Sequence, residues 1–252
     1  MSSSAESKAG ALLRKATAAQ SSVARAKYAT RGLAKAGSDP TLRAMLLRQL
    51  YLSQMESELF EAAVETARAV RELGVLPDVA CQDLARAHLA VGRPREAIEE
   101  LRRASRVGPA SRRAFHLWTL GTTLYFQEDY AAAATALERA VRWGTSARPL
   151  YRAQLVLARL ALARKPSVRG LSTLGQVRSD LEEAACGQGY GRFVLGELAH
   201  RQGDKRAARH YLEEFIARSD TGRVALRVSL SAELARARSL LSTLDAEERA
   251  KV

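Results

Sequence analysis

Apolar residues recur three and four positions apart along almost the whole chain, which is the spacing of one face of an α-helix. Leu117, Leu120 and Leu124 show this pattern in the middle of the sequence. Turn-forming residues interrupt it at the segments 92–94, 128–129, 165–167 and 203–204. The alternation of apolar and polar residues that is typical of a strand does not rise above this helical pattern. The sequence therefore predicts an all-α protein of short helices joined by turns.

The helices are organised as a repeat. A leucine of the first helix recurs at steps of 34, 36, 37 and 38 residues, at Leu50, Leu84, Leu120, Leu157 and Leu195. A small residue of the second helix recurs at the same steps, at Ala63, Ala97, Ala133, Gly170 and Ala208. Because the two markers recur at the same increasing steps, each unit is predicted to be a pair of helices. One pair alone cannot bury its apolar face, so the pairs are expected to stack on one another.

The repeat carries a recognisable set of residues. The first helix of the central unit has Leu117, Leu120-Gly121 and Leu124, and its second helix has Tyr130, Ala133, Leu137 and Ala140. Over about residues 44–220 this set resembles the tetratricopeptide repeat family. The resemblance implies a right-handed α-solenoid of about five to six helix-turn-helix repeats with a C-terminal capping helix. The small residues are expected where two helices cross closely, at Ala85, Ala97, Gly121, Ala133 and Gly196.

Three segments follow from the repeat. Residues 1–40 are predicted to be a degenerate helical pair that covers one end of the array. Residues 44–221 are predicted to be the repeat array itself. Residues 223–252 are predicted to be a capping helix followed by a short tail, because their apolar residues lie on one side and their arginines elsewhere.

The charge of the chain is strongly positive. The formal net charge is +13, so the surface is expected to attract acidic partners. Only seven of the 40 basic residues are lysines. Two interpretations of this arginine excess remain open: a GC-rich genome, or bidentate recognition of carboxylate or phosphate groups. The absence of a long apolar run and of a secretory signal favours a cytoplasmic, bacterial-type protein without a membrane span.

The sequence contains no recognisable set of catalytic residues. The four histidines have no partner at ligand spacing, and Cys81 and Cys186 form no metal or redox motif. Adjacent glutamates such as Glu99 and Glu100 point about 100° apart on a helix, which does not suit a catalytic pair of carboxylates. We therefore predict that the protein is not an enzyme and has no catalytic, cofactor-binding or metal-binding residues.

The resemblance implies a protein partner held against the first helices, in a concave groove. The predicted partner-binding residues are Arg48, Gln82, Arg86, Phe115, Trp118, Thr122, Tyr125, Arg152, Arg159, Tyr190, Phe193 and Arg201. In the central helix, Phe115, Trp118 and Thr122 lie three and four apart and Tyr125 follows at three, beside the leucine stripe, so that helix is apolar on two sides. The aromatic side either packs on the preceding unit or forms an exposed anchor flanked by arginines, which is the usual composition of an interface hot spot.

Two hypotheses about function follow. The first is an adaptor that binds an acidic or mixed peptide or helix of another protein, and so assembles or regulates a larger complex. The second is a basic protein that binds the phosphate backbone of nucleic acid. Its candidate residues are Arg102, Arg103, Arg106, Arg112 and Arg113. Their position near the end of a helix also suits the helix dipole alone. Self-association into a homo-oligomer remains open as well.

Overall fold

The computed structural model describes residues 2–184, 189–219 and 224–250. Over these residues the chain forms fourteen α-helices and no strand. The all-α fold class predicted from the sequence is confirmed. The chain divides into two compact units, Met1–Pro109 and Ala110–Val252, which are described one after the other.

The first unit contains six helices, each packed against the next in the sequence. They are α1 (Ser2–Ala18), α2 (Ser22–Leu33), α3 (Pro40–Glu56), α4 (Phe60–Glu72), α5 (Pro77–Ala90) and α6 (Pro94–Val107). Proline occupies the start of α3, α5 and α6, where its missing N–H leaves no helical hydrogen bond unmade. The first pair, α1 and α2, lies within the predicted N-terminal cap.

The second unit contains the remaining helices of the described residues. They are α7 (Ala110–Phe126), α8 (Tyr130–Trp143), α9 (Arg148–Ala163), α10 (Leu174–Glu183), α11 (Tyr190–Arg201), α12 (Lys205–Ser219), α13 (Val224–Ser229) and α14 (Ser231–Arg249). Helices α7 to α12 form three pairs, and α14 packs against both helices of the last pair.

Several of the predicted turns lie between the two helices of a pair. Gly92 separates α5 from α6 and Gly203 separates α11 from α12, with φ angles of +72° and +79° that glycine adopts without strain. Glu128, between α7 and α8, has a φ of +60°, which costs a side-chain-bearing residue conformational energy. The turn chemistry read from the sequence therefore marks real helix ends.

The small residues lie at close crossings of paired helices, as predicted. A Cβ atom added at Gly121 would lie 2.6 Å from Cγ of Leu137, and one added at Gly196 would lie 2.6 Å from Cγ of Leu212. Ala85, Ala97 and Ala133 are fully buried. Each glycine therefore allows the first helix of its pair to approach a leucine of the second.

Replacement of Gly196 by alanine is expected to destabilise the second unit. The new methyl group would overlap Leu212 near its backbone, and such overpacking costs about 1–3 kcal/mol. This exceeds the ~0.5–1 kcal/mol that alanine contributes over glycine inside a helix. Urea denaturation followed by tryptophan fluorescence measures the effect, because both tryptophans of the chain, Trp118 and Trp143, lie in this unit.

Gly175→Ala is the matched control for this experiment. Gly175 lies in α10, and a Cβ atom added there would come no closer than 4.0 Å to Oγ1 of Thr173. This variant is expected to be neutral or slightly stabilising. Equal destabilisation by the two substitutions would show that the crossing at Gly196 is not tight.

One repeat marker is wrong. The sequence pattern aligned Gly170 with the alanines of the second helices, but Gly170 lies in the segment before α10, with a φ of +85°. The helix begins only at Leu174, after Thr173 and Gln176 form a capping box. The long connection from Arg164 to Thr173 therefore displaces this helix, and Val177 and Leu181 are the residues of α10 that are buried.

The C-terminal segment also differs from the prediction. A single capping helix followed by a short tail was expected over residues 223–252, yet the described residues form two helices that meet at Leu230. The expected tail is helical as far as Arg249, because its acidic residues bind α12. Asp245 and Glu248 pair with Arg209 at 2.7 Å and 3.1 Å, and Glu247 pairs with Lys205. The side chains of Val224 and Leu226, two of the apolar residues expected on one side of this helix, lie outside the described residues, as does Cys186.

In the part of the chain that the structure describes, none of the helices combines the length and the apolar character needed to span a bilayer.

Candidate functional site

The twelve predicted partner-binding residues differ widely in exposure. The exposed ones are Arg86, Phe115 and Arg152. The half-buried ones are Arg48, Trp118, Arg159, Tyr190 and Arg201. The buried ones are Gln82, Thr122, Tyr125 and Phe193. Members of the last group cannot contact a partner unless the structure around them rearranges.

In the first unit, two of the predicted arginines lie near one buried acid. Nε of Arg48 donates to Oδ2 of Asp83 at 2.6 Å, and Asp83 is 4% exposed. The hydroxyl of Tyr51 donates to the carbonyl oxygen of Asp83 at 2.9 Å. Burial raises the pKa of Asp83, and the positive charge of Arg48 opposes that rise. Arg86 lies one turn further along α5 and is exposed, so it is the residue of this group that can bind an external anion.

In the second unit, an aromatic cluster lies along the first helices of the pairs. It consists of Phe115 and Trp118 on α7, Tyr151 on α9 and Tyr190 on α11. The ring centroid of Trp118 lies 6.0 Å from that of Phe115, 5.8 Å from that of Tyr151 and 5.1 Å from that of Tyr190. Trp118 thus packs on helices that follow it in the sequence. Phe115 remains 37% exposed at the edge of the cluster.

Polar atoms without a hydrogen-bond partner accompany this cluster. Nε1 of Trp118 is buried and has no acceptor among the described residues. Gln154, one turn after Tyr151 on α9, is fully buried, and neither its amide oxygen nor its amide nitrogen has a partner there. Such groups are uncommon in folded proteins and normally bind water or a ligand.

Tyr125, another aromatic residue of α7, belongs to a buried ionic network. The hydroxyl of Tyr125 donates to Oε2 of Glu197 at 2.5 Å, and Nε of Arg236 donates to Oε1 of the same carboxylate at 2.6 Å. Nη2 of Arg201 donates to the Tyr125 hydroxyl at 3.3 Å. Glu197 is 1% exposed. Burial first, and then the charge of Glu197, raise the pKa of Tyr125, so the phenol stays protonated and acts as a donor.

The C-terminal helix also supplies a buried carboxyl group to this region. Glu233, at the start of α14, lies against Tyr190, whose hydroxyl faces Thr122 and Glu233 without a well-aligned hydrogen bond. Burial raises the pKa of Glu233 from 4.5 to about 7. Burial and the nearby Glu233 together raise the pKa of Tyr190. Helix α14 therefore contacts residues that the sequence assigned to an external partner.

The two predicted arginines of α9 reach acids on second helices. Nη2 of Arg159 lies 2.5 Å from Oε1 of Glu138 on α8. Nη1 of Arg152 lies 3.6 Å from Oδ2 of Asp180 on α10. Tyr151, on another face of α9, is the residue of this helix that belongs to the aromatic cluster. The two arginines therefore serve contacts between neighbouring helices, and both keep part of their surface in water.

Phe193 lies among other rings. Its centroid is 5.9 Å from that of Phe126, 5.7 Å from that of Tyr190 and 5.4 Å from that of Phe215. It is fully buried and belongs to the core of the last pair.

The described residues contain no cluster of three or more histidine, cysteine or acidic side chains that could hold a metal ion. Cys81 is a buried free thiol, and burial followed by a hydrogen bond to Glu100 raises its pKa to about 12. A thiol with such a pKa is a poor nucleophile at neutral pH. Burial lowers the pKa of His88, a change typical of a histidine packed in a protein interior.

Sequence reasoning missed Glu197, Glu233 and Arg236. Glu197 had a detectable signal, since it is a single acid within the otherwise apolar segment 193–199. A charge in such a position needs a partner when the segment is buried. The partner, Arg236, lies on α14, and nothing in the repeat pattern relates that helix to α11.

The arginines proposed for phosphate contacts fall in both units. In the first unit, Arg102, Arg103 and Arg106 of α6 are exposed, and none of them pairs with an acidic side chain in the described ranges. In the second unit, the guanidinium of Arg113 lies 4.7 Å from the ring centroid of Trp143. Arg113 therefore stacks on an aromatic side chain.

Comparison with solved structures agrees with the repeat fold. A tetratricopeptide repeat protein from Parabacteroides merdae superimposes with a TM-score of 0.60 and 14% identity, over 97% of this chain and 92% of that one. The C-terminal part of a TPR repeat-containing protein from Cytophaga hutchinsonii matches with 11% identity over 87% of this chain and 97% of that one. Its TM-score of 0.34 is too low to support a comparison of folds. No protein-family model and no curated protein matches the sequence. The chain thus has a tetratricopeptide-type repeat fold, as predicted.

Proposed function

We propose that the protein is a non-catalytic scaffold that binds an acidic or mixed segment of another protein along its first helices. Repeat proteins of this fold class present extended surfaces of side chains to their ligands. The net charge of +13 favours an acidic ligand and accelerates its approach. The assembly or regulation of a larger complex would be its biological role.

The observation that carries this proposal is the edge of the aromatic cluster. Phe115 is 37% exposed, and Trp118 beneath it is half-buried. A rigid aromatic surface that remains in part accessible is typical of an interface anchor. In the first unit, the exposed Arg86 supplies a cation that can orient an acidic side chain. The two features lie in different units and are independent candidates.

Phe115→Ala is expected to weaken partner binding by about tenfold or more, which is ~1.4 kcal/mol or more of binding free energy. The reason is the loss of apolar area at a partly exposed anchor. Peptides selected on the immobilised full-length protein from a random display library supply the ligands, and fluorescence anisotropy measures their affinity. The selected peptides are expected to be rich in Asp, Glu and apolar residues.

Trp143→Ala is the matched control, since Trp143 is an aromatic residue of the same unit that is 45% exposed but lies on the second helix α8. It should leave affinity unchanged. Arg86→Glu tests the first unit separately, and it should lower the association rate for acidic peptides most strongly. Unchanged affinity in both Phe115→Ala and Arg86→Glu would contradict the proposed binding surface.

The alternative function, binding of nucleic acid, rests on the three exposed and unpaired arginines of α6. Phosphate binding of this kind weakens steeply as salt concentration rises. Titration of duplex and single-stranded oligonucleotides at two salt concentrations distinguishes the two functions. Tight, salt-sensitive binding that is lost in Arg102→Gln/Arg106→Gln would favour the alternative over the protein scaffold.

A further inference from the structure

A pocket of about 600 Å³ lies in the second unit, where α7, α9 and α11 end. Its volume is in the range of small-molecule sites. Residues from the turn after α7, from the start of the long connection after α9, from the end of α11 and from α14 line it. We call it the basic pocket because its charged lining consists of Arg164, Lys165, Arg201 and Arg236, against the single carboxylate of Glu128.

The cations of the basic pocket fall into two pairs. The outer pair, Arg164 and Lys165, is exposed and forms no ion pair or hydrogen bond through its side chains with any described residue. The inner pair, Arg201 and Arg236, is held in place by Tyr125 and Glu197, and the side chain of Arg236 is 44% exposed. The inner pair is therefore preorganised, while the outer pair is free to move onto a ligand.

One lining residue of the pocket has a buried donor without an acceptor. Nε of Arg201 is buried and has no acceptor among the described residues. A buried guanidinium N–H without an acceptor is costly, so an acceptor at this position would be favourable. The histidine of the lining is His200, whose pKa burial lowers, which disfavours its charged form.

We propose that the basic pocket binds a small molecule that carries two phosphate groups. The lining has four permanent cations and one acid, and a second carboxylate, that of Glu197, pairs with Arg236, which leaves two net positive charges. Each terminal phosphate carries about −1.5 to −2 charges at pH 7 and is attracted to a pair of neighbouring cations, and the lining offers two such pairs. Three of the four cations are arginines, whose planar forks bind phosphate oxygens in pairs. The inner pair receives one phosphate and the outer pair receives the other.

The attraction between cations and the carboxyl ends of helices does not by itself explain the cations of the basic pocket. Cations near the carboxyl end of a helix interact favourably with its dipole, which explains why Arg164 and Lys165 are tolerated after α9. The dipole supplies no acceptor for the buried Nε of Arg201. It also gives no reason for α14 to bring Arg236 into the same pocket.

Titration calorimetry with inorganic pyrophosphate on the full-length protein tests the proposal, at physiological chloride concentration. Pyrophosphate is expected to bind the wild-type protein with one site, and citrate at equal ionic strength is expected to bind at least tenfold more weakly. In Arg164→Gln/Lys165→Gln, the dissociation constant for pyrophosphate is expected to rise at least tenfold. These two side chains make no contact that folding requires.

Arg139→Gln/Arg142→Gln is the matched control, because it removes two positive charges from exposed positions of α8 in the same unit. It should leave pyrophosphate binding intact. Absence of binding, or an equal loss in the control, would overturn the site. Binding of citrate as tight as that of pyrophosphate would overturn the assignment to phosphate. Loss of peptide binding in Phe115→Ala is independent of these results.

Discussion

Glu197→Ala is expected to lower the free energy of unfolding of the second unit by about 3 kcal/mol or more. Removal of one partner from a buried ion pair costs ~3–5 kcal/mol, because the other partners lose their compensating charge. The value should lie at the lower end of that range, since the side chain of Arg236 is 44% exposed and remains in contact with water. The hydroxyl of Tyr125 would also lose its acceptor inside the protein. Urea denaturation followed by tryptophan fluorescence measures the change in this unit.

Two further variants test whether the loss of stability in Glu197→Ala comes from the buried network. Tyr125→Phe removes only the hydroxyl, and should cost about 1.5 kcal/mol as the loss of a hydrogen bond to a charged group. Glu65→Ala breaks an exposed pair with Arg68, whose Nη1 lies 2.6 Å from the carboxylate, and should cost at most ~1 kcal/mol. The unfolding of Glu65→Ala is followed by far-UV circular dichroism, because Glu65 lies in the first unit and both tryptophans lie in the second. A cost for Glu197→Ala no greater than that for Glu65→Ala would show that the buried network does not stabilise the unit.

The repeat fold was predictable because its signals are local. The crossing of α7 and α8 needs a small residue at 121, and that of α11 and α12 needs one at 196, so each glycine is a direct trace of packing. Apolar spacing and turn residues depend only on neighbours in the sequence. The misplacement of Gly170 has a similar origin, since the two markers assume a constant spacing between the first and second helix of each unit. The long connection before α10 breaks that assumption.

The candidate site was predictable only in part, because exposure is a property of the folded chain. The repeat pattern placed Phe115, Trp118 and Tyr125 on one helix correctly. It could not show that Tyr125 meets Glu197, which is 72 residues away, or that Phe193 is enclosed by other rings. Nor could the pattern place α14, which belongs to no repeat. The basic pocket depends on that helix, and so it left no sign in the sequence.

Glu233 is expected to make the stability of the second unit depend on pH. Folding raises the pKa of its carboxyl group from 4.5 to about 7, chiefly by burial. The folded state therefore holds a proton between these values that the unfolded state releases, so the unfolding free energy falls as pH rises. The stabilisation that this difference in proton binding gives the folded state is fully present below pH 4.5 and is lost as pH rises through about 7. A shift of this size corresponds to ~3 kcal/mol.

The measurement compares wild type with Glu233→Gln by urea denaturation between pH 4 and pH 8, with tryptophan fluorescence as the signal. Because glutamine does not ionise, the variant should gain stability relative to wild type as pH rises, and the difference between them should level off above about pH 7. Other titrating groups cancel in this difference. Glu182→Gln, the same substitution at an exposed position of α10, is the matched control. A flat difference for Glu233→Gln, or one that falls with pH, would mean that the carboxyl group of Glu233 reaches water in the folded protein.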